Sequence, residues 1–318
     1  MLLEVSDLYV WFYKKREIIK AVNGVFFSLL PKETLGLVGE SGCGKSITAL
    51  SIMRLVPAPG EIIKGKIYFL NKNILELPSK EMQKLRGREI SMIFQDPMTA
   101  LNPVFTIGEQ IEEVYRYHFG LSKKQARERS IEMLKKVGIP NAEDRINAYP
   151  HQLSGGMRQR VMIAMALATH PKLLIADEPT TALDVTIQAQ VLELMLNLKK
   201  EMNMAILFIS HDLTVVAQIA ERIAVMYAGK IVEMAETVEI FRNPMHPYTE
   251  GLLEAIPRIE HVFEEKHRLK AINGEMVPIS TGCAFAPRCG KKRSICLKQL
   301  PPLKKVSSNH WVYCWLYE

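Results

Sequence analysis

A chain of 318 residues can hold one large domain with a smaller appendage, or two domains of ordinary size. Its 48% hydrophobic and 24% charged residues suit a folded protein with a sizeable core, and its longest uninterrupted apolar run, Val161 to Ala168, falls far short of the roughly 20 residues that span a bilayer. With no charged-then-apolar leader at the N-terminus, the expectation is a cytosolic chain with only a peripheral role at a membrane, and a net charge of +7 without a dense basic stripe argues against a nucleic-acid partner.

In chain order, Leu3, Val5, Leu8, Val10 and Phe12 predict a first extended segment, and the apolar residues of 21–30 a second. A short buried strand over 34–38 feeds the run Gly39-Glu40-Ser41-Gly42-Cys43-Gly44-Lys45-Ser46, a full G-x-x-x-x-G-K-[ST] phosphate loop. A helix is predicted from Ser46 to Leu55, ended by Pro57 and Pro59. Glycines at 39, 42 and 44 let the backbone aim its N–H groups inward. Lys45 supplies a charge for the β- and γ-phosphates, Ser46 offers a hydroxyl to Mg²⁺, and the helix start points its positive end at the anion. A nucleoside triphosphate is the expected ligand, with Gly39, Ser41, Gly42, Cys43, Gly44, Lys45, Ser46 and Ile47 around its phosphates. Cys43 is expected to serve there as a small residue.

Further strands are predicted over 65–70 and 90–94. From Gly108 to Gly138 the chain is rich in Glu, Lys, Arg and Gln, with apolar residues three or four apart, which predicts a mainly helical insert. Strand and helix then alternate: strands over 173–176, 205–209 and 222–226, and helices over 186–202 and 213–221. Such alternation implies a parallel sheet covered by helices, an α/β fold. After about Pro244 the pattern dissolves into proline-rich, loop-like segments.

The strand Leu173-Leu174-Ile175-Ala176 ends in Asp177 and Glu178. Ligand groups in open α/β sheets gather at such strand ends. Asp177 is suited to Mg²⁺, and Glu178 to polarising a water for attack on the γ-phosphate. Just upstream lies Leu153-Ser154-Gly155-Gly156-Met157-Arg158-Gln159-Arg160, where Ser154, Gly155 and Gly156 start a helix and so form a second anion site.

With these motifs the chain resembles the ATP-binding-cassette ATPases. The run at 153–160 is similar to their signature motif, with Met157 in place of the commoner Gln. Gln95 in Phe94-Gln95-Asp96-Pro97 resembles the Q-loop, Ala182-Leu183-Asp184 the D-loop, and His211 in Ile209-Ser210-His211-Asp212 the switch histidine. The resemblance implies a RecA-like parallel-sheet core, an N-terminal antiparallel β subdomain and a helical subdomain over about 97–165. It also implies ATP hydrolysis with Glu178, His211, Gln95 and Lys45 as the catalytic set, Ser46, Gln95 and Asp177 around Mg²⁺, and an aromatic, Phe12 or Tyr13, stacked on adenine. In the family two cassettes pack head to tail, so Ser154, Gly155, Gly156 and Asp184 are expected to act on the ATP held by a second chain.

Three longer strings narrow the resemblance: residues 93–103, residues 179–190 and His246-Pro247-Tyr248-Thr249 are similar to the ATPase subunits of bacterial dipeptide and oligopeptide importers, a pattern nickel importers share. The run around His151-Gln152 and Ile163-Ala164-Met165 resembles the first of the two ATPases such importers pair. Cys283, Cys289, Cys296 and Cys314 crowd into the last 36 positions without the close pairs usual for zinc. An iron–sulfur cubane, which family members of this type hold, is the favoured reading, and zinc or buried thiols are the alternatives.

The expected organisation is a nucleotide-binding domain over 1–244 and a small loop-rich extension over 245–318 with the four-cysteine site. Expected partners are a second ATPase subunit (a heterodimer, or a homodimer in isolation), two integral membrane permeases at the cytoplasmic face and, indirectly, an external substrate-binding protein. The rival readings are a soluble cassette ATPase acting on DNA or ribosomes, and the ATPase of an exporter.

Overall fold

Alternating apolar residues make the first strand, β1 (Leu3–Lys14), but the alternation changes phase partway along. Leu3 and Val5 are buried, then Leu8 and Val10. Between them Asp7 adopts a left-handed φ of +53° at a register shift, so one extra residue moves the buried face from odd to even positions. In the computed structural model, which describes residues 1–14, 17–181, 183–256, 272–276 and 281–318, β1 joins β2 (Glu17–Leu29), β4 (Gly60–Phe69) and β5 (Lys72–Asn73) in a sheet ordered β2-β1-β4-β5. β1 and β4 are antiparallel, with Leu3 opposite Phe69 and Phe12 opposite Gly60. Between β2 and β4 lies β3 (Thr34–Val38), every residue of it buried.

The chain divides into two units. One holds residues 1–2, 29–34 and 73–209, and its framework is β6 (Ile90–Ile93), β7 (Leu173–Asp177) and β8 (Ala205–Ser210). These strands are parallel, with β7 paired to both others and all three buried throughout, the pattern of strands covered on both faces. The charged insert forms helices Ile107–Phe119 and Lys123–Lys136. Each begins in a reciprocal capping box, Thr106 with Glu109 and Ser122 with Gln125. Helices Gly155–Leu167 and Val185–Met202 complete this unit's longer elements.

The other unit holds residues 3–28, 35–72 and 210–318. Here β3 runs parallel to β9 (Arg222–Tyr227), which turns through Ala228 and Gly229 into the antiparallel β10 (Lys230–Glu236). The extension departs from the sequence reading in one respect. Within its loops it carries a hairpin, β11 (Leu303–Ser307) and β12 (His310–Tyr313), and β12 pairs with β10. Lys304, Lys305 and Ser307 on an edge strand hide the alternation that marks a hairpin. The join is secured by buried Glu233, which accepts from the Met245 and His246 N–H groups at 2.7 and 2.9 Å and pairs with His310 Nε2 at 2.7 Å. No helix of the described residues is long and apolar enough to cross a membrane.

Candidate nucleotide site

β3 hands the chain to the phosphate loop, and helix Lys45–Ile52 starts directly after Gly44. At two positions only glycine fits. A Cβ on Gly39 would lie 2.1 Å from the Met226 carbonyl oxygen, and one on Gly44, whose φ is +107°, 2.3 Å from that of Ala21. Lys45 Nζ donates to the carbonyl oxygens of Gly39 and Glu40 at 2.7 and 3.1 Å, so its charge is buried inside the loop. Phosphate oxygens are stronger acceptors for that ammonium than these carbonyls. Ser41 and Gly42 are exposed, and Ser46 and Ile47 are half-buried on the first turn. Cys43 is buried and its thiol pushed up by that burial, which fits a small packing residue better than a reactive one.

In the other unit Asp177 ends β7 and is buried, while Glu178 follows in a left-handed conformation, φ +47°. A glutamate holds that conformation only where its surroundings fix it. Its N–H donates to the Ile209 carbonyl at 3.0 Å, and its Oε2 accepts from Gln95 Nε2 at 3.1 Å and from Thr181 Oγ1 at 3.0 Å. Gln95 and Glu178, 83 positions apart in sequence, therefore share one hydrogen bond at the ends of neighbouring strands β6 and β7. Both side-chain bonds fall on the one oxygen, Oε2, and so fix the orientation of the carboxylate.

The signature residues cap helix Gly155–Leu167, where Ser154 Oγ accepts from the Met157 N–H at 3.3 Å. A Cβ on Gly156 would meet Ile187 at 2.8 Å, whereas one on Gly155 would meet nothing within 4 Å among the described residues. Asp184 caps the following helix through Oδ1 and the Ile187 N–H at 3.0 Å, so Gly156 and Asp184 both adjoin Ile187. Beside Asp184, Val185 is 83% exposed. Of the D-loop residues, Ala182 lies outside the described residues.

The remaining candidates belong to the unit of the phosphate loop. Phe12 packs its ring where a Cβ on Gly60 would clash at 2.6 Å, while Tyr13 is exposed. His211 is exposed in a tight corner, where Ser210 Oγ accepts from the Asp212 N–H at 3.0 Å and Asp212 Oδ1 caps the next helix through the Thr214 N–H at 2.7 Å.

Cys283, Cys289, Cys296 and Cys314 line one small cavity together with His246, Phe285, Lys291 and Trp315. All four are thiols, and burial pushes Cys283 up to about 11 and raises Cys289 and Cys314 as well. A cationic group among them is what would ionise such thiols. As the side chains stand, no group of three or more His, Cys, Asp or Glu among the described residues is set to hold a single metal ion. Cysteine sulfurs are the ligands an iron–sulfur cluster takes, and all four of these cysteines line the one cavity. His246, buried beside them, is held down to about 4 by desolvation, and its Nδ1 accepts from the Tyr248 N–H at 3.1 Å.

Arg288 directly precedes Cys289 in sequence, yet it is engaged with the phosphate loop. Its side chain is 6% exposed and forks onto Glu40 of the phosphate loop, Nη1 to Oε2 at 2.7 Å and Nη2 to Oε1 at 3.0 Å. Tyr248 Oη accepts from the Glu40 N–H at 2.9 Å. These partners lie 208 and 248 positions away from Glu40, beyond the reach of motif reading.

Residues 22–181 match the family described as ABC transporter, and residues 232–296 the one described as Oligopeptide/dipeptide transporter, C-terminal region. The chain is 53% identical to the oligopeptide transport ATP-binding protein AppD of Bacillus subtilis (strain 168), over 100% of this chain and 97% of that protein. It is 48% identical to the dipeptide transport ATP-binding protein DppD of the same organism, over 99% and 95%. A dimeric ATP-binding cassette solved in a post-hydrolysis state with ADP and Pi superposes with a TM-score of 0.67 at 28% identity, covering 74% of this chain and 99% of its own. With these likenesses along its whole length, the chain belongs to the ABC transporter family and is an ABC-type ATPase.

Proposed function

We propose that this chain hydrolyses ATP to drive uptake of di- or oligopeptides across a bacterial cytoplasmic membrane. The observation that carries the reading is likeness to peptide-transport ATP-binding proteins along the whole chain, extension included. Lys45 and the loop amides bind the phosphates, Ser46, Gln95 and Asp177 would hold a Mg²⁺ that would supply screening of the phosphate charge, and Phe12 or Tyr13 stacks on adenine. Glu178 takes the proton from the attacking water, with Gln95 fixing its carboxylate, and His211 holds the γ-phosphate side of that water.

The open space at Gly155 supports the reading that the signature faces a second molecule, because no described residue lies within 4 Å of where its Cβ would be. The second molecule in this reading is another cassette, a distinct ATPase subunit, and Asp184 with exposed Val185 belongs to the same contact. Two permease subunits carry the peptide, and the cassette pair sits on them at the cytoplasmic face. Residues 1–244 form the nucleotide-binding domain and 245–318 the extension, whose four cysteines would hold a [4Fe–4S] cluster and so staple its loops.

Reconstitution with two permease subunits, a second ATPase and a binding protein in liposomes tests the function. Peptide-stimulated hydrolysis coupled to peptide accumulation is expected, and hydrolysis that no peptide stimulates would remove the cargo assignment. Iron and acid-labile sulfide at about four each per chain are expected in anaerobically purified protein. Stoichiometric zinc in a colourless sample would replace the cluster.

A further inference from the structure

A carboxylate in a phosphate loop works against its ligand. Glu40 directly follows Gly39, and its own carbonyl oxygen holds the Lys45 ammonium at 3.1 Å. Its carboxylate lies beside a site meant for a polyanion, where an unpaired negative charge repels phosphate. The extension answers that charge with a two-bond guanidinium fork.

The fork is itself fixed. Arg288 Nε donates to the Asn273 carbonyl at 3.1 Å, Nη2 to the Ile272 carbonyl at 3.1 Å and Nη1 to Tyr227 Oη at 3.4 Å. Below it, Tyr227, Tyr248 and Phe285 pack ring against ring at 4.6–5.4 Å between centroids. Tyr248 Oη accepts from the Glu40 N–H, so the backbone and the side chain of this one loop residue are both held from the far end of the chain. Met276 adds an apolar contact, 3.8 Å from where a Cβ on Gly42 would be.

We propose that Arg288 is a positioning residue for ATP: it neutralises and immobilises Glu40, so that the extension sets the affinity of the phosphate loop. The inference rests on this loop being the nucleotide site. A purely structural ion pair would suffer equally from loss of either partner. An electrostatic guard does not, because removing Arg288 exposes a repelling carboxylate, while removing the Glu40 charge leaves a cation near the phosphates.

The test measures MgATP dissociation constants for the full-length chain, with melting temperature in the absence of nucleotide alongside. Arg288→Met is expected to weaken MgATP binding about tenfold, and Arg288→Lys less, since a lysine keeps the charge but loses the fork. Glu40→Gln is expected to bind within twofold of the parent or tighter, and Arg288→Met with Glu40→Gln to recover to within about threefold. In hydrolysis assays the change should fall on KM and not on kcat. A double variant no better than Arg288→Met, or Arg288→Met binding like the parent, overturns the proposal. If Arg288→Met does not fold, Glu40→Gln decides: parental or tighter binding supports the guard, and weakening beyond twofold overturns it. A parent chain that does not bind MgATP overturns the nucleotide site and the guard together.

Discussion

The two units hold their functional residues in opposite ways. Around the phosphate loop the chain satisfies itself: Lys45 is buried on its own loop carbonyls, Gly39 and Gly44 are demanded by neighbouring backbone, and Glu40 is answered by Arg288 and Tyr248. In the other unit Glu178 is likewise fixed within the chain, but the signature and D-loop residues stand open: Ser154, Asp184 and Val185 are exposed, and among the described residues nothing lies within 4 Å of where a Cβ on Gly155 would be. A binding surface finished within one chain needs only its ligand, while Gly155 and exposed Val185 lie where the proposed second cassette would bind.

The largest effect is expected inside the open unit. Glu178→Gln keeps the shape and a group able to bond with Gln95 and Thr181, so nucleotide binding should persist. Turnover in the assembled transporter should drop by about 10²–10⁴-fold, the range for loss of a general base. Single-turnover hydrolysis set beside MgATP binding separates the two. Near-parental turnover would mean that the fixed carboxylate is not the base, and the contrast between the units would lose its chemical half.

Much of this division could be read before any coordinates. The phosphate loop is legible because its chemistry lies within eight consecutive residues, and β3, β7 and β8 because continuous apolar runs have few other readings. Gln95 and Glu178 were legible as motifs, but their shared hydrogen bond depends on β6 pairing with β7 across the helical insert. Glu40 and Arg288 were not legible as a pair. A lone Glu in a loop and an Arg in a basic stretch carry no sign of each other when 248 positions separate them. The hairpin β11–β12 escaped for a local reason, since its polar edge strand mimics a loop, and Asp7 hid the phase change of β1 because one left-handed residue leaves no mark in composition.

The closed unit makes its own prediction. Glu233 is 1% exposed and gathers the Met245 and His246 N–H groups and His310, so it fastens the extension to β10. Glu233→Ala strands three buried donors and should cost about 3 kcal/mol of unfolding free energy in urea titration. The loss should reach the phosphate loop, because Arg288 and Tyr248 belong to the extension it anchors, and MgATP binding should weaken in step. A destabilised chain with parental MgATP affinity would show that the loop does not depend on the extension for its closure.

The smallest change bears most directly on the comparison. Gly155 opens a helix, adopts no left-handed φ and has no described residue within 4 Å of where its Cβ would be, so Gly155→Ala is expected to have no steric cost in the chain alone and a slightly favourable helix propensity. Its melting temperature should be unchanged or marginally higher, and MgATP binding to the isolated chain should match the parent. In the assembled transporter the same methyl group would stand where the partner's nucleotide must approach the helix N–H groups, and steady-state hydrolysis should fall about tenfold, the cost of weakening one charge-assisted hydrogen bond. Gly156→Ala is the control with the opposite signature, because its Cβ meets Ile187 at 2.8 Å and should lower the melting temperature of the chain alone. Stability unmoved and activity lost at 155, against stability lost at 156, is the pattern that two adjacent glycines give when one serves this chain and the other serves its partner. Equal behaviour at both positions would place the signature among the self-satisfied parts of the molecule.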